Sequence, residues 1–519
     1  MKKLYFILLF ITTIVKGQQA DILIKNGKIV DGTGNSWLYG DIAVTDGKIM
    51  AIGHLENWKA TKTIDATGLI VAPGFIDVHT HIENQEKKDP EAKSFIYDGV
   101  TTVITGNCGD SHTNIKKYFS FLDSLKTSIN VGSFIGHNDV RKAVMGTSNR
   151  TPTEAEMQQM EGIVEQAMKD GAVGFSTGLI YIPGTYSKTP EVVRLAKAAA
   201  KYHGVYASHI RNEADSVVAA INEALNIGRE AHMPVEVSHF KLVGEQNWGR
   251  SKETLPLIIK AREEGIDATI DQYPYTASST TITTMLPSWA LADGQDSIKA
   301  RLQNENSRKR IIAFGIKTLK KRSLEHFSYA VVANYKADTS YNGKSIEEVN
   351  QMIGHPHTAE EEMKTVMDIV INGGSSMVFH GMCEEDVQNI MKYPFNMFAS
   401  DGGIRVIGES VPHPRSYGTN ARVLGKYVRE LKIIPLEEAI RRMTSLPAQK
   451  FQLKNMGLLR EGYNADIVLF DEKTVSDIAT YDKPHQYSVG FKYVIINGKL
   501  TVEDGKHNGT RSGRTIRKG

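Results

Sequence analysis

The chain has 519 residues, 41% of them hydrophobic and 23% charged, with 45 glycines, a globular composition that excludes a disordered or collagen-like polymer. Its 62 Lys and Arg face 59 Asp and Glu, but Lys2, Lys3 and Lys16 lie in an N-terminal leader, and without them the charges balance. A balanced chain lacks the basic excess that nucleic acid or an anionic membrane surface demands, and two cysteines, Cys108 and Cys383, are too few for a disulfide framework.

The leader opens on Lys2-Lys3, continues through an apolar stretch from Leu4 to Val15 and ends in small and polar residues at Gly17-Gln18-Gln19-Ala20. The stretch is shorter than the ~18 residues a membrane span requires, and it reads as a secretory signal peptide over residues 1–17 of an exported, periplasmic or secreted protein. From Asp21 to Ile70, short alternating strands are expected to be joined by tight turns at Asn26-Gly27 and Asp46-Gly47. The same pattern returns at Ala465–Phe470 and Tyr493–Val502, around Asn497-Gly498. The two ends, 18–70 and 457–519, are therefore expected to build one β-sandwich domain, with residues 71–456 inserted between them.

The middle alternates short apolar runs with helical patterns, the grammar of a parallel sheet. Eight runs stand out: Leu69–Asp77, Thr101–Thr105, Asn130–Ile135, Ala172–Thr177, Val205–Ile210, Pro234–His239, Asp267–Tyr273 and Asn396–Asp401. Eight such units suggest an α/β fold of the (β/α)8 barrel class. Helices are expected over Thr153–Lys169, Pro190–Tyr202, Asp215–Ala231 and Pro435–Thr444, each behind a polar or proline start. The stretch 274–395 is too long for one crossover and is expected to hold an inserted subdomain capping the site.

Histidine, cysteine and aspartate fall at the carboxyl ends of those runs: His79 and His81 after the first, Cys108 after the second, His209 and His239 ending the fifth and sixth, Asp401 ending the eighth. In a barrel these ends converge on one face, where catalytic groups collect. Each residue alone is more often a satisfied polar side chain than a ligand, but six together assemble the imidazole, thiolate and carboxylate donors that suit catalytic zinc. Zinc polarises a carbonyl and makes water acidic enough to attack near neutral pH, and Asp401 is placed to accept and return the proton. The plainer readings are an N-cap role for Asp401 and a structural or disulfide-bonded Cys108.

The segment Val71-Ala72-Pro73-Gly74-Phe75-Ile76-Asp77-Val78-His79-Thr80-His81 resembles the metal-binding opening of the amidohydrolase superfamily, and more tightly its N-acyl-D-amino-acid deacylase (D-aminoacylase) family. Gly106-Asn107-Cys108-Gly109, Ser208–Glu213, Ser238–Lys241, Asp271–Tyr275 and His413–Thr419 carry the same resemblance, which extends from about Asp21 to the C-terminus. It implies that Cys108, His209 and His239 hold one tight Zn2+ and that His79, His81 and Asp401 form a weaker second site. It also implies that Cys108 bridges where most of the superfamily uses a modified lysine; the fourth run, Gly174-Phe175-Ser176-Thr177, has none. Tyr181, Lys241 and Arg415 are the candidates to hold the substrate carboxylate.

The implied reaction is hydrolysis of N-acyl-D-amino acids to a carboxylate and a free D-amino acid. The alternatives are a dipeptidase for D-residue dipeptides, a cyclic-amide hydrolase, or a non-catalytic metal-holding protein on the same barrel. Gly174-Phe175-Ser176-Thr177-Gly178 also matches the serine-hydrolase elbow, but the following Leu179-Ile180-Tyr181-Ile182-Pro183-Gly184 is not the helix that an elbow requires. The expected partner is a small-molecule substrate; neither nucleic acid nor membrane is expected, and the sequence leaves the oligomeric state open.

Overall fold

The computed structural model describes residues 18–518, and the leader expected over residues 1–17 lies outside the described residues. Eight parallel barrel strands follow in chain order: Phe75–Asp77, Val100–Thr105, Asn130–Ser133 with its continuation Ile135–Gly136, Gly174–Gly178, Val205–His209, Val235–Val237, Ala268–Gln272 and Asn396–Phe398. All are buried along their length, so no solvent-facing alternation is required of them, although Val235-Glu236-Val237 still shows it. Regular ladders join strands one to three and the third strand's continuation through to strand eight, but they do not close the ring.

Discrete bonds cross the seam between the last strand and the first: the Asp401 N–H donates to His79 O (2.8 Å), His81 N–H to Gly402 O (2.7 Å), and Ser400 N–H to the Asp77 carboxylate (3.1 Å). The seam therefore lies directly beneath three of the expected ligands. The outer helices include Glu154–Lys169, Thr189–Ala200, Val217–Ala231 and Leu436–Met443. The first starts where the sequence places it because Thr153 and Glu156 form a reciprocal capping box.

Strands from both chain ends form one continuous nine-stranded sheet that branches at Gln19–Ile29. This strand pairs antiparallel with Leu38–Thr45 and parallel with both Lys59–Asp65 and Ile70–Pro73, and Ile467–Phe470 brings in the C-terminal strands. Asp46-Gly47 and Asn497-Gly498 make the expected turns, all four residues at positive φ. Asn26-Gly27 does not. It lies inside a long strand as a bulge, where the register slips between Ile24 and Gly27 and Asn26 takes φ +60°. An Asn in the left-handed region serves a bulge as readily as a turn.

The first apolar run also divides. Ile70–Pro73 belongs to the nine-stranded sheet and Phe75–Asp77 to the barrel, with Gly74 as the pivot. Gly74 N–H donates to Asp466 O (2.8 Å), and a Cβ there would come within 2.2 Å of Thr101 Oγ1, so only glycine fits the junction.

Between barrel strands seven and eight stands a subdomain with its own core, which includes Leu302, Ile311, Phe327, Val332 and Met363. Its antiparallel strands Ala277–Thr281, Ala330–Asn334 and Ser376–His380 put the last in the centre, and the long helices Glu305–Lys321 and Ala359–Ile371 pack on them. No helix among the described residues is long and apolar enough to cross a membrane.

Candidate active site

The six residues expected to bind metal meet on one face of the barrel. Cys108 Sγ lies 3.3 Å from His79 Nε2, 3.6 Å from His239 Nε2 and 3.7 Å from His209 Nδ1. Asp401 Oδ1 lies 3.1 Å from His81 Nε2 and 3.6 Å from His79 Nε2. Three overlapping donor triads result: Cys108 with His209 and His239, His79 with His81 and Cys108, and His79 with His239 and Asp401. Cys108 is shared by two of them, and both cysteines are free thiols. No helix begins at Gly402-Gly403, so Asp401 is not an N-cap.

Cys108, His239 and Asp401 carry φ of +54°, +34° and +49°, a region that non-glycine residues occupy at a cost and that clusters at functional sites. Ser176 helps to hold the cysteine loop. Its hydroxyl donates to Gly106 O and accepts from Gly109 N–H (3.1 Å), bracketing Cys108. Ser176 itself is buried within a barrel strand, not exposed on a turn, so the elbow motif is coincidental.

Sequence reasoning did not assign the carboxylates behind the ligands. Asp271 Oδ2 lies 3.2 Å from His79 Nδ1, and Asp271 Oδ1 accepts the His239 backbone N–H (2.9 Å). Glu213 Oε1 lies 3.0 Å from His239 Nδ1 and pairs with Lys241 Nζ, which is itself 2.8 Å from that nitrogen. With Nδ1–H donated to a carboxylate, each ring turns an Nε2 lone pair toward Cys108, the usual arrangement behind metal-binding imidazoles. Asp271 lies two residues before the end of the seventh run, Asp267–Tyr273, close enough to its carboxyl end for the strand-end rule to have reached it. Beneath it Glu236 is fully buried; burial first, and the Asp271 charge second, push its carboxyl well above the usual range and keep it neutral.

Burial drives His209 and His239 well below their ordinary range, so both are neutral donors, and it pushes the Cys108 thiol up. A cation at this point reverses the penalty on the thiolate. His209 also retains a buried Nε2 without a partner. A soft sulfur packed among neutral imidazoles beside an ionised carboxylate fits zinc. Burial opposes ionisation of Asp401, but Arg415, with Nη1 2.9 Å from Oδ2, outweighs it together with His79 and His81 and holds the carboxyl well below its usual range.

The expected carboxylate-holding residues also border this centre. Arg415 is buried over the Tyr273 ring, 4.5 Å from its centroid, and its Nη2 donates to Ser279 O (3.2 Å) on the inserted subdomain. The Tyr181 ring lies 4.7 Å from that of His209, and its hydroxyl accepts from Thr280 Oγ1 (2.9 Å). Lys241 is committed to Glu213 and donates to the His239 carbonyl (3.2 Å).

Comparison with known proteins agrees with this geometry. Residues 62–502 match the Amidohydrolase family. D-aminoacylase of Alcaligenes xylosoxydans xylosoxydans is 34% identical over 96% of this chain and 98% of its own length, and N-acyl-D-aspartate deacylase of the same organism is 34% identical over 96% of each. The crystal structure of N-acyl-D-glutamate deacylase from Bordetella bronchiseptica, complexed with zinc and a phosphonate mimic of the tetrahedral intermediate, superposes with a TM-score of 0.81 at 34% identity, covering 96% of this chain and 100% of that one.

Proposed function

The chain belongs to the amidohydrolase family, within its N-acyl-D-amino-acid deacylase branch, and from that premise we propose that it is a zinc-dependent enzyme hydrolysing the amide bond of N-acyl-D-amino acids. The observation that carries this reading is the thiol of Cys108 set 3.3–3.7 Å from three imidazole nitrogens, with the Asp401–Arg415 pair alongside. Cys108, His209 and His239 would hold the tight zinc, and His79, His81 and Asp401 a weaker second ion. When bound, zinc supplies Lewis acidity to the scissile carbonyl and acidifies water.

The chain's own groups supply the rest. Asp401, kept ionised by Arg415, takes the proton from the attacking water and delivers it to the leaving nitrogen, so that a free amine departs. Arg415 has two nitrogens engaged, by Asp401 and by Ser279 O, and its remaining N–H donors can grip the substrate carboxylate. Tyr181, beside His209, offers its hydroxyl hydrogen to the same region. Lys241 bears on the substrate through Glu213, which it fixes and which in turn holds the His239 ring.

A panel of N-acetyl-D-amino acids, D-residue dipeptides and cyclic amides tests the reading on the zinc-loaded chain. The highest kcat/KM is expected on the N-acetyl-D-amino acids; a clear preference for dipeptides or cyclic amides would replace the assignment.

Export belongs to the same proposal, on the strength of the Lys2-Lys3 start and the short apolar stretch that follows. Protein recovered from its host should begin near Gln18, and a mature chain beginning at Met1 would contradict this.

A further inference from the structure

A cavity of about 380 Å³ opens beside Tyr181 and His209, between the barrel mouth and the inserted subdomain. Its walls are largely apolar, with Ile180, Met285, Phe314, Phe327 and Phe379 contributing. The volume falls within the range of small-ligand pockets.

Its position identifies the part of the substrate it receives. Ser278 and Thr280 line the cavity, and the residue between them, Ser279, gives its carbonyl to Arg415. The cavity and the carboxylate grip thus share one strand. A substrate whose α-carboxylate lies on Arg415 has its other α-substituent, the side chain, next to this cavity.

The charges of the lining decide what kind of side chain fits. Two cations reach the cavity, Lys321 and Arg322, and each is already neutralised. Lys321 pairs with Asp215. The buried Arg322 guanidinium has Nε 3.2 Å from Glu245 Oε2, donates from Nη2 to His380 O (2.9 Å), and stacks 3.8 Å from the Tyr329 ring centroid. With Lys321 paired to Asp215, Arg322 to Glu245 and the lining Glu213 to Lys241, the cavity offers no excess positive charge. A carboxylate entering it would lose water without gaining a free cation, a cost that an apolar side chain avoids.

We propose that this chain selects N-acyl-D-amino acids with apolar side chains and discriminates against acidic ones, a specificity that rests on the deacylase reading above. The relatives named "D-aminoacylase" and "N-acyl-D-aspartate deacylase" are equally identical to this chain at 34%, so overall similarity does not make this choice; the pairing of Arg322 does.

The test is kcat/KM of the zinc-loaded full chain on N-acetyl-D-leucine, -methionine and -phenylalanine against N-acetyl-D-aspartate and -glutamate. The apolar set is expected to lead by about 100-fold or more. Faster turnover of the acidic pair would overturn the specificity while leaving the deacylase reading intact, and absence of turnover on every D-substrate would overturn both. Glu245→Gln removes the charge that neutralises Arg322 and should shift the ratio toward the acidic substrates by about 10-fold. An unchanged ratio in a folded, active variant would overturn the role given to the Arg322–Glu245 pair.

Discussion

Arg415 Nη1 lies 2.9 Å from Asp401 Oδ2, so the group assigned to grip the substrate and the group assigned to move its proton share one buried ion pair. The pair keeps Asp401 ionised in a site whose burial would otherwise favour the neutral acid. It also places the carboxylate grip within reach of the reacting centre, so that binding the substrate's anion aligns its amide with the base.

Arg415→Ala should therefore raise KM by about 10-fold or more and lower kcat as well, while the zinc of Cys108, His209 and His239 stays bound. Arg415→Lys should recover only part of the loss, because an ammonium lacks the planar fork. Steady-state kinetics with parallel metal analysis checks this, and an unchanged KM would move the carboxylate grip elsewhere.

Cys108→Ala removes the donor shared by two of the three triads. The variant should lose the tight zinc and nearly all activity, with a slow approach to the same state when the wild-type chain is held with a strong chelator. Zinc content measured by elemental mass spectrometry should fall by about one ion per chain. Full retention of zinc would refute the ligand assignment.

Ser176→Ala separates the metal mechanism from a serine hydrolase. The variant loses the hydroxyl that bridges Gly106 O and Gly109 N–H, at an expected cost of about 1–3 kcal/mol in stability. It should keep turnover within about 10-fold of wild type once loaded with zinc, and serine-directed reagents should leave the wild-type enzyme active. Chemical denaturation and single-turnover rates measure the two effects. A folded, zinc-bound variant without turnover would make Ser176 the nucleophile.

Much of the site was legible in the sequence because a barrel maps chain order onto spatial order. Strands buried on both faces read as apolar runs, and their carboxyl ends form one face, so His79, Cys108, His209, His239 and Asp401 could be placed together before any distance was known. The partners that hold them could not. His79 and Asp271 are 192 residues apart, and no local pattern announces which carboxylate will stand behind which ring. Glu236 was hidden for another reason: within Val235-Glu236-Val237 it imitates the solvent-facing position of an alternating strand, yet it is fully buried.

The two local misreadings have separate physical causes. Asn26-Gly27 carries the left-handed preference that turns and bulges share, and the run through Gly74 is apolar on both sides of its pivot, so composition does not record the change of sheet. The Arg322–Glu245 pair, on which the specificity rests, joins the inserted subdomain to a barrel loop and is visible only in three dimensions.

The most direct test of the central claim is the rate of free amino-acid release from matched D and L enantiomers of an N-acetyl amino acid, measured with the zinc-loaded chain and again after zinc removal. The account predicts zinc-dependent release from the D-enantiomer, with the L-enantiomer slower by about 100-fold or more. Zinc-dependent release confined to the L-enantiomer, or equal release from the D-enantiomer with and without zinc, would contradict it.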